Sequence, residues 1–419
     1  MNKLTIRDLD IKDKRVLMRV DFNVPIDQGS VSDDTRINAA LPSIRHALEQ
    51  GARSVVLMSH LGRPKGKPSM EFSLKPVAEH LKGLVDVPVE FAEDCVGPDV
   101  KQKADALAPG SILLLENLRF HPEEEGKTKP ADDASEEERK SAKAEMKERQ
   151  EAFARELASL GDVYVNDAFG TAHRAHASVA VVTRFFDQNA AGFLLEREIT
   201  YLGKALEKPD RPFLAILGGA KISGKMDVIS NLLGKVDTLL IGGGMAYTFY
   251  KAQGIPIGDS LVEEDRVAMA GDVLKNAEAA GVKLMLPVDH VIADKFDAGA
   301  NTKVVTEGGI EDGWMALDIG PETIENYAGE ISTARTVVWN GPMGCFEMEP
   351  FAAGTLEIAK AVAETECLSI IGGGDSVSAV NRSGLADKMT HISTGGGASL
   401  EFLEGKELPG VSSLTDKNG

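Results

Sequence analysis

Short apolar segments alternate with longer Ala-, Glu- and Lys-rich stretches along most of the chain. Segments rich in Val, Ile and Leu are typical of buried parallel strands, and the stretches between them are typical of covering helices. The predicted strands are RVLMRVDF, SVVLMSH, SILLLENLRF and DVYVNDAF in the first half, and FLAILGG, TLLIGGG, VKLMLPVDH, TVVWNGP and LSIIGGG in the second. The pattern therefore predicts an α/β fold built on parallel sheets.

The middle of the chain carries a helical pattern that predicts a domain boundary. A chain of 419 residues with 43% hydrophobic residues exceeds the usual size of one core, so two domains of about 200 residues each are expected. The segment GFLLEREITYLGKALEKPDRP has apolar residues at helical spacing and stops near Pro209. We expect a connecting helix over residues 189–207, between domains at 1–188 and 208–404.

A strongly charged segment interrupts the alternation in the first half. Ser135 followed by Glu138 is typical of a capping box and predicts the start of one long helix. Only the end of this segment, at Met146, Phe153, Leu157 and Leu160, offers an apolar stripe for packing. A solvated helical extension is the simpler interpretation, and docking of a partner is the alternative.

Charge and cysteine content narrow the classes of function. The net charge of −19 disfavours nucleic acids and anionic membranes as partners. Three widely spaced cysteines without a CxxC pattern predict neither a disulfide framework nor a structural zinc site. The polar amino terminus and the absence of a long apolar run predict a cytoplasmic protein.

Arginines follow several predicted strands of the first half, at the edge where open α/β sheets bind ligands. They occur in RVDFNVP, DDTRI, HLGRP, ENLRF and TAHRAHAS. Converging guanidinium groups favour a small, highly charged acid. Asp21 and Asn23 lie two residues apart and would face the same side of an extended chain, where they either bind substrate hydroxyls or form a turn before Pro25.

Glycine runs replace the arginines in the second half. In GGGDS and GGGAS the glycines let backbone N–H groups approach phosphate oxygens, although tight turns explain them as well. Asp375 follows the first run and is either a Mg²⁺ ligand or a helix cap. In GGAKISGKM the phosphate-loop pattern fails at Met226, which lacks the hydroxyl that holds magnesium. Lys221 and Lys225 remain candidates for phosphate contacts, on one face if this segment opens a helix.

Nine motifs, taken in order, resemble those of the phosphoglycerate kinase family and together span almost the entire chain. They are RVLMRVDFNVP, SHLGRP, ENLRF, DAFGTAHRAH, GGAK, GGGMA, WNGPMGCFE, GGGDS and GGGAS. The resemblance implies two doubly wound, Rossmann-like domains joined by a hinge helix, with a tail at 405–419 that returns to the first domain. It marks an acidic helical insertion at about 127–150 and gives no role for it. It implies a monomer that acts on small-molecule substrates, with ATP or ADP as co-substrate and Mg²⁺ as cofactor.

The resemblance also implies a site for each substrate. The 3-phosphoglycerate site would comprise Asp21, Phe22, Asn23, Arg36, His60, Leu61, Gly62, Arg63, Arg119 and Arg174. The nucleotide site would comprise Gly219, Ala220, Lys221, Lys225, Gly243, Leu261, Leu317, Asn340, Pro342, Glu347, Gly373, Gly374, Asp375 and Ser376, with Asp375 as the magnesium ligand. Ser376 stands where many members carry threonine, so a hydroxyl is retained.

The implied reaction is reversible phosphoryl transfer between 1,3-bisphosphoglycerate and MgADP. Because the acceptor carboxylate is ionised at neutral pH, no general base is required. Arg36, Lys221 and the backbone N–H groups near Gly374 and Gly397 are expected to compensate charge on the transferring group. Since these donors belong to different domains, the interpretation predicts a closure. A P-loop ATPase and a non-catalytic binder of a phosphorylated acid are the alternatives; Met226 disfavours the first, and Lys221 and Asp375 disfavour the second.

Overall fold

The computed structural model describes residues 2–417. Met1, Asn418 and Gly419, which the predicted domain and tail ranges include, lie outside the described residues. The chain divides into two compact units, the first running to Ile199 and resuming at Glu407, and the second comprising Thr200–Lys406. Within residues 2–417, no helix combines the length and the apolar composition that crossing a bilayer requires.

The first unit is built on a parallel sheet of six strands. The unit has eight strands in its described residues: β1 (Arg15–Val20), β2 (Ile26–Asp27), β3 (Ser30–Val31), β4 (Ser54–Met58), β5 (Val89–Phe91), β6 (Ser111–Leu114), β7 (Val163–Asp167) and β8 (Asn189–Ala191). The sheet order is β5-β6-β4-β1-β7-β8, and β2 and β3 form a separate hairpin. The helices of this part are α1 (Thr35–Glu49), α2 (Lys75–Leu81), α3 (Pro98–Ala106), α4 (Pro122–Glu125) and α5 (Glu136–Ala158).

The charged segment folds as the sequence predicts. Helix α5 begins after Ser135, whose hydroxyl accepts from the N–H of Glu138 while the Glu138 carboxylate accepts from Ser135, so the predicted capping box is confirmed. Only the last turns of α5 are buried, at Phe153, Ala154 and Leu157. The amphipathic end anchors the helix, and its first turns are exposed to solvent.

The boundary between the units falls within a helix. Helix α6 (Phe193–Glu207) begins in the first unit and ends in the second. In the first unit, its amino terminus is held by the carboxylate of Asp167, which accepts from the N–H groups of Leu194 at 2.8 Å and Leu195 at 3.1 Å. A carboxylate at this end satisfies free N–H groups and complements the helix dipole.

The second unit repeats the architecture. Its strands are β9 (Phe213–Leu217), β10 (Thr238–Ile241), β11 (Lys283–Met285), β12 (Asp289–Ala293), β13 (Thr302–Thr306), β14 (Met315–Ile319), β15 (Thr336–Asn340), β16 (Leu368–Gly372) and β17 (His391–Ile392). Six of them form a parallel sheet ordered β11-β10-β9-β15-β16-β17, and β12 to β14 form a three-stranded antiparallel sheet. Its helices are α7 (Met226–Leu233), α8 (Ala246–Gln253), α9 (Val267–Ala279), α10 (Pro321–Thr333), α11 (Ala353–Glu364), α12 (Gly374–Arg382) and α13 (Gly397–Leu403).

All nine strands predicted from apolar runs are present, and the α/β class with two parallel-sheet units is confirmed. Within the described residues, the prediction missed eight strands: β2, β3, β5, β8, β12, β13, β14 and β17. Most of them are short or half-exposed, but β12 and β14 are mostly buried strands of five residues. The tail forms the short helix α14 (Pro409–Ser412) within the first unit. It is held there by the N–H of Gly410, which donates to the carbonyl of Ala172 at 2.7 Å.

Candidate functional site

The first unit gathers its polar residues at one edge of the sheet. Strands β6, β4, β1 and β7 are consecutive neighbours and parallel, so their carboxyl ends lie side by side. The loops that leave these ends carry most of the residues predicted to bind an acid: Asp21 to Asn23 after β1, His60 to Arg63 after β4, Arg119 after β6 and Arg174 after β7.

Arg36, from the first turn of α1, is anchored to the loop after β1. Its Nη1 donates to Oδ2 of Asp21 at 3.1 Å and to the carbonyl of Asn23 at 3.3 Å. The side chain of Asn23 accepts in turn from the N–H of Gly62 at 2.8 Å. The loops after β1 and β4 are therefore tied to each other and to α1.

His60 and Arg119 extend this network. Arg119 Nη1 donates to the carbonyl of Gly62 at 2.9 Å, and His60 Nδ1 lies 3.9 Å from Oδ1 of Asp21. Burial, together with the positive charges of Arg19 and Arg119, holds the pKa of His60 well below its ordinary value. His60 is therefore a neutral hydrogen-bonding group in a positively charged pocket.

Two of the predicted arginines extend into solvent. Within residues 2–417, the guanidinium groups of Arg63 and Arg174 make no hydrogen bond or ion pair, and both residues are exposed. Phe22 and Leu61 are buried and contribute packing, while the backbone of Phe22 donates to the Ser59 hydroxyl at 2.8 Å. The predicted acid-binding residues thus include polar groups held by hydrogen bonds, two exposed arginines and two buried apolar side chains.

Sequence analysis counted Arg19 among the strand-end arginines through RVDFNVP but did not assign it to the site, and the structure places it next to His60. Arg19 is fully buried. Its Nε donates to the Ser178 hydroxyl at 2.9 Å, and its Nη2 lies 3.2 Å from His60 Nδ1. The second arginine of the strand RVLMRV, which follows three apolar residues, was the available signal, because an arginine is rarely fully buried unless it is paired.

The second unit contains a cleft of about 360 Å³ at the carboxyl ends of its central strands. Its lining includes most of the residues predicted to hold phosphates: Gly219, Ala220, Lys221, Lys225, Asn340, Pro342, Gly373, Gly374, Asp375, Ser376 and Gly397. The cleft is also lined by Gly396, from the GGGAS run already interpreted as a phosphate cradle, and by Gly218, Gly341 and Leu400, which the sequence analysis did not assign. Their neighbours in the motifs were the only signal for them.

Two helices begin at this cleft, and both start after a glycine with positive φ. Gly373 has φ 87° before α12, and Gly396 has φ 48° before α13. These values belong to the region that glycine adopts without strain. The first N–H groups of a helix have no partner within it and carry partial positive charge, so both helix ends can hold phosphate oxygens.

The charged side chains of the cleft differ in their surroundings. Lys225 is half-buried and donates to Oδ1 of Asn340. Burial lowers its pKa to about 8, and the charge of Asp375 opposes this shift. Lys221 and Asp375 are exposed, and among the described residues their side chains make no hydrogen bond or ion pair. Neither lysine lies in a helix, because α7 begins only at Met226, so the spacing argument for them fails although both line the cleft.

Four predicted nucleotide-site residues lie outside the lining of the cleft. Gly243 packs against Gly219, where an added Cβ would come within 2.6 Å of the Gly219 nitrogen. Leu261 is 48% exposed, whereas Leu317 is buried with Phe351. Glu347 is exposed, and its carbonyl accepts from Arg382 at 3.4 Å. Their roles stay predictions.

Comparison with known proteins places these observations in a family. The family model described as phosphoglycerate kinase matches residues 6–406. A phosphoglycerate kinase of Moorella thermoacetica is 59% identical over 417 residues, covering 100% of both chains. One of Chloroherpeton thalassium is 56% identical over 419 residues, covering 99% of this chain and all of the other. The structure of phosphoglycerate kinase from Coxiella burnetii aligns with TM-score 0.85 at 41% identity, covering 98% of each chain.

Proposed function

Because the chain belongs to the phosphoglycerate kinase family, we propose that its first unit binds 3-phosphoglycerate and that the cleft of its second unit binds the phosphates of ATP or ADP. The reaction of the family is the reversible transfer of a phosphoryl group between 1,3-bisphosphoglycerate and ADP, a step of glycolysis. The chain is accordingly a kinase that acts on the carboxyl group of 3-phosphoglycerate.

One observation carries the nucleotide half of the proposal. Lys221, Lys225 and the amino-terminal N–H groups of α12 and α13 all line the same cleft. Donors and cations of this kind bind phosphate oxygens, and each charge-assisted hydrogen bond contributes about 1.5–3 kcal/mol. The glycines at these helix starts leave the backbone accessible to the ligand.

The acid half rests on the network around Arg36. 3-Phosphoglycerate carries a phosphate and a carboxylate, which require several cations for binding. Its hydroxyl group requires a hydrogen-bonding partner between them. Arg63 and Arg174 are exposed and have no hydrogen-bonding or ion-pair partner among the described residues. The anchored Arg36 and Arg119 lie in the network that includes Asp21 and Asn23. We assign substrate binding to these residues, with His60 as a neutral hydrogen-bonding partner.

The chemistry requires positioning and charge compensation. The acceptor carboxylate is ionised at neutral pH, so the site needs no general base. Negative charge spreads over the oxygens of the transferring group, and fixed donors stabilise it. We assign this role to Arg36, Lys221 and the N–H groups at Gly374 and Gly397. The predicted closure that would bring donors of both domains to one phosphoryl group stays a prediction.

Magnesium fits the residues of the cleft. Asp375 presents an exposed carboxylate in the first turn of α12, and a single carboxylate with nucleotide phosphates is a common arrangement for Mg²⁺. When bound, the ion would neutralise nucleotide charge and orient the phosphates. Asp375 would hold it, while Lys225 would bind phosphate oxygens on the protein side.

The remaining parts of the proposal concern boundaries, assembly and location. We propose domains at 1–188 and 208–404 with a connecting helix at 189–207 and a tail at 405–419. We further propose a monomer in the cytoplasm, which suits a glycolytic enzyme with free thiols at Cys95, Cys345 and Cys367. Light scattering of the purified chain tests the monomer, since a particle mass of twice that of the chain would contradict it.

A coupled assay tests the function. The full chain is supplied with ATP and 3-phosphoglycerate, with and without magnesium, and acyl phosphate formation is followed. We expect product only when all three are present. ATP hydrolysis that does not depend on 3-phosphoglycerate would instead support the P-loop ATPase alternative. Binding of both ligands without turnover would support the non-catalytic alternative.

A further inference from the structure

A second cluster of ligand-type side chains lies in the first unit, apart from every residue assigned above. Asp94 and Cys95 follow β5, and His121 precedes α4. Within residues 2–417 this is the only group of three or more His, Cys, Asp or Glu side chains whose ligand atoms all lie within 4.8 Å of one another.

The three groups are held in place from several directions. His121 Nε2 lies 2.6 Å from Oδ1 of Asp94, and the same oxygen accepts from the backbone N–H of Cys95 at 2.6 Å. The ring of Phe153, from α5, packs on the imidazole with centroids 5.2 Å apart. The positions of carboxylate, thiol and imidazole therefore depend on three separate elements of the fold.

Access to the cluster is graded. Cys95 is fully buried, whereas the side chains of His121 and Asp94 are 29% and 51% exposed. An ion could enter from the solvent side and reach the thiol behind it. The open side would leave room for water as a fourth ligand, which is the usual complement of three protein ligands.

The surroundings favour a cation. The carboxylates of Glu123 and Glu156 add negative potential at His121. Burial and the carboxylates of Asp94 and Glu124 raise the pKa of the Cys95 thiol, so a bound metal ion would displace its proton. Arg149 pairs with Glu123, which leaves Asp94 and Glu156 as further negative charges beside the imidazole.

We propose that Asp94, Cys95 and His121 form a binding site for a divalent transition-metal ion of the Zn²⁺ class, a property beyond the proposed kinase function. Thiolate, imidazole and carboxylate together suit Zn²⁺ and Co²⁺ and do not suit Mg²⁺, which prefers oxygen ligands alone. Zinc bonds of about 2.3 Å to sulfur and about 2.1 Å to nitrogen place two ligands at most about 4.4 Å apart. Since all three ligand atoms already lie within 4.8 Å of one another, small side-chain rotations would bring them to these distances.

Bound metal would link the segment after β5 to the segment that enters α4. His121 contacts Phe153 in the buried last turns of α5. The ion would therefore stabilise the position of this end of the helix beside the edge strand β5. We expect Zn²⁺ to raise the melting temperature of the first unit, because a ligand that binds the folded chain alone stabilises it.

Cobalt provides the direct test. The full chain is freed of metal with a chelator and titrated with CoCl₂ without nucleotide or 3-phosphoglycerate, and absorption is recorded. A thiolate bound to Co²⁺ gives a charge-transfer band in the near ultraviolet. The variants are Cys95→Ser and His121→Gln, and the matched controls are Cys345→Ser and Cys367→Ser, which remove the other two thiols.

The expected result is a saturating band at one equivalent in the wild type and in both controls, its loss in Cys95→Ser, and weaker metal binding in His121→Gln. The zinc-dependent rise in melting temperature should disappear in the same two variants while turnover persists. A band that survives Cys95→Ser, or no band in the folded wild type, would overturn the proposal and leave a hydrogen-bonded cluster. If Cys95→Ser fails to fold, Asp94→Asn at the exposed ligand gives the same test through loss of binding.

Discussion

Arg36 donates from Nη1 to Oδ2 of Asp21 at 3.1 Å, and its side chain is 39% exposed whereas that of Asp21 is 11% exposed. One end of the guanidinium group is thus fixed by a largely buried carboxylate. Among the described residues, only Nη1 of Arg36 makes hydrogen bonds, so its Nε and Nη2 can donate to a substrate. This geometry pre-orients the arginine without neutralising its ability to bind an anion.

Replacement of Arg36 tests its role in charge compensation. We expect Arg36→Ala to lower kcat by about 100- to 1000-fold, the usual effect of removing one donor to a developing charge. ADP affinity should scarcely change, because Arg36 belongs to the first unit. Steady-state kinetics and calorimetric titration with ADP measure the two effects.

Arg45→Ala provides the matched control on the same helix, since Arg45 is exposed and its Nη2 donates to the carbonyl of Leu84 at 3.0 Å. This variant should keep wild-type turnover. Loss of ADP binding with turnover retained in Arg36→Ala would show that the assignment is wrong.

The ionisation of Lys225 predicts a pH dependence of nucleotide binding. Burial lowers the pKa of Lys225 to about 8 in the free protein, and phosphate binding favours the charged form. ADP affinity should therefore fall as pH rises through about 8, where the free protein loses this charge. Titrations across this range, compared with Lys225→Arg, measure the effect. The arginine stays charged, so its profile should be flat; an equal fall in both proteins would refute the assignment.

Removal of the Asp375 carboxylate tests the magnesium site. We expect Asp375→Asn to abolish most of the gain in ADP affinity that Mg²⁺ provides, while affinity for ADP without magnesium stays near that of the wild type. Asp387→Asn, at an exposed aspartate near the end of α12, is the control. Calorimetric titration with ADP, with and without Mg²⁺, measures the two affinities separately. If Mg²⁺ increases the ADP affinity of Asp375→Asn as much as that of the wild type, Asp375 is not the ligand.

Glu124 predicts sensitivity of the fold to acid. Its buried carboxylate accepts from the Ser178 N–H at 3.0 Å and hydroxyl at 2.6 Å. Burial raises its pKa, but His176, Arg19 and Ser178 outweigh this and lower it from 4.5 to about 2. A lowered native pKa stabilises the fold above about 4.5, and this contribution, about 3 kcal/mol, disappears as pH falls towards about 2.

Urea unfolding at pH 7 and at lower pH measures this contribution. Glu124→Gln should be less stable at pH 7, and the difference from the wild type should shrink as pH falls. Glu125→Gln, at the half-buried neighbour in α4, is the control and should change little. A stability difference that does not depend on pH would contradict the role of ionised Glu124.

Deletion of residues 127–150 tests whether the first turns of α5, with the segment before them, are a solvated extension. We expect a folded protein with turnover within a few-fold of the wild type, because the deleted turns are mostly exposed. Phe153→Ala, at the buried end of the helix, should by contrast cost about 3–5 kcal/mol of unfolding free energy. Kinetics and thermal melting measure both. A folded deletion without activity would indicate that the extension has a function.

The sequence by itself determined the fold class, the strands and the type of chemistry at their ends. Apolar runs long enough for buried strands are a local property, and the Arg- and Gly-rich motifs follow them directly along the chain. The long helix after Ser135 was equally predictable, because a capping box lies within four residues.

Only the tertiary structure decided which groups meet and how burial changes them. Arg19 reaches His60 across neighbouring strands, and Asp94 reaches His121 across more than twenty residues of intervening chain. The pKa of Lys225 near 8 arises from loss of water around its ammonium group, which depends on the elements that enclose it. The pattern of apolar and polar residues along the chain shows only local periodicity. Contacts and desolvation arise from packing between distant segments, and this packing set the chemistry of the predicted sites and of the proposed metal site.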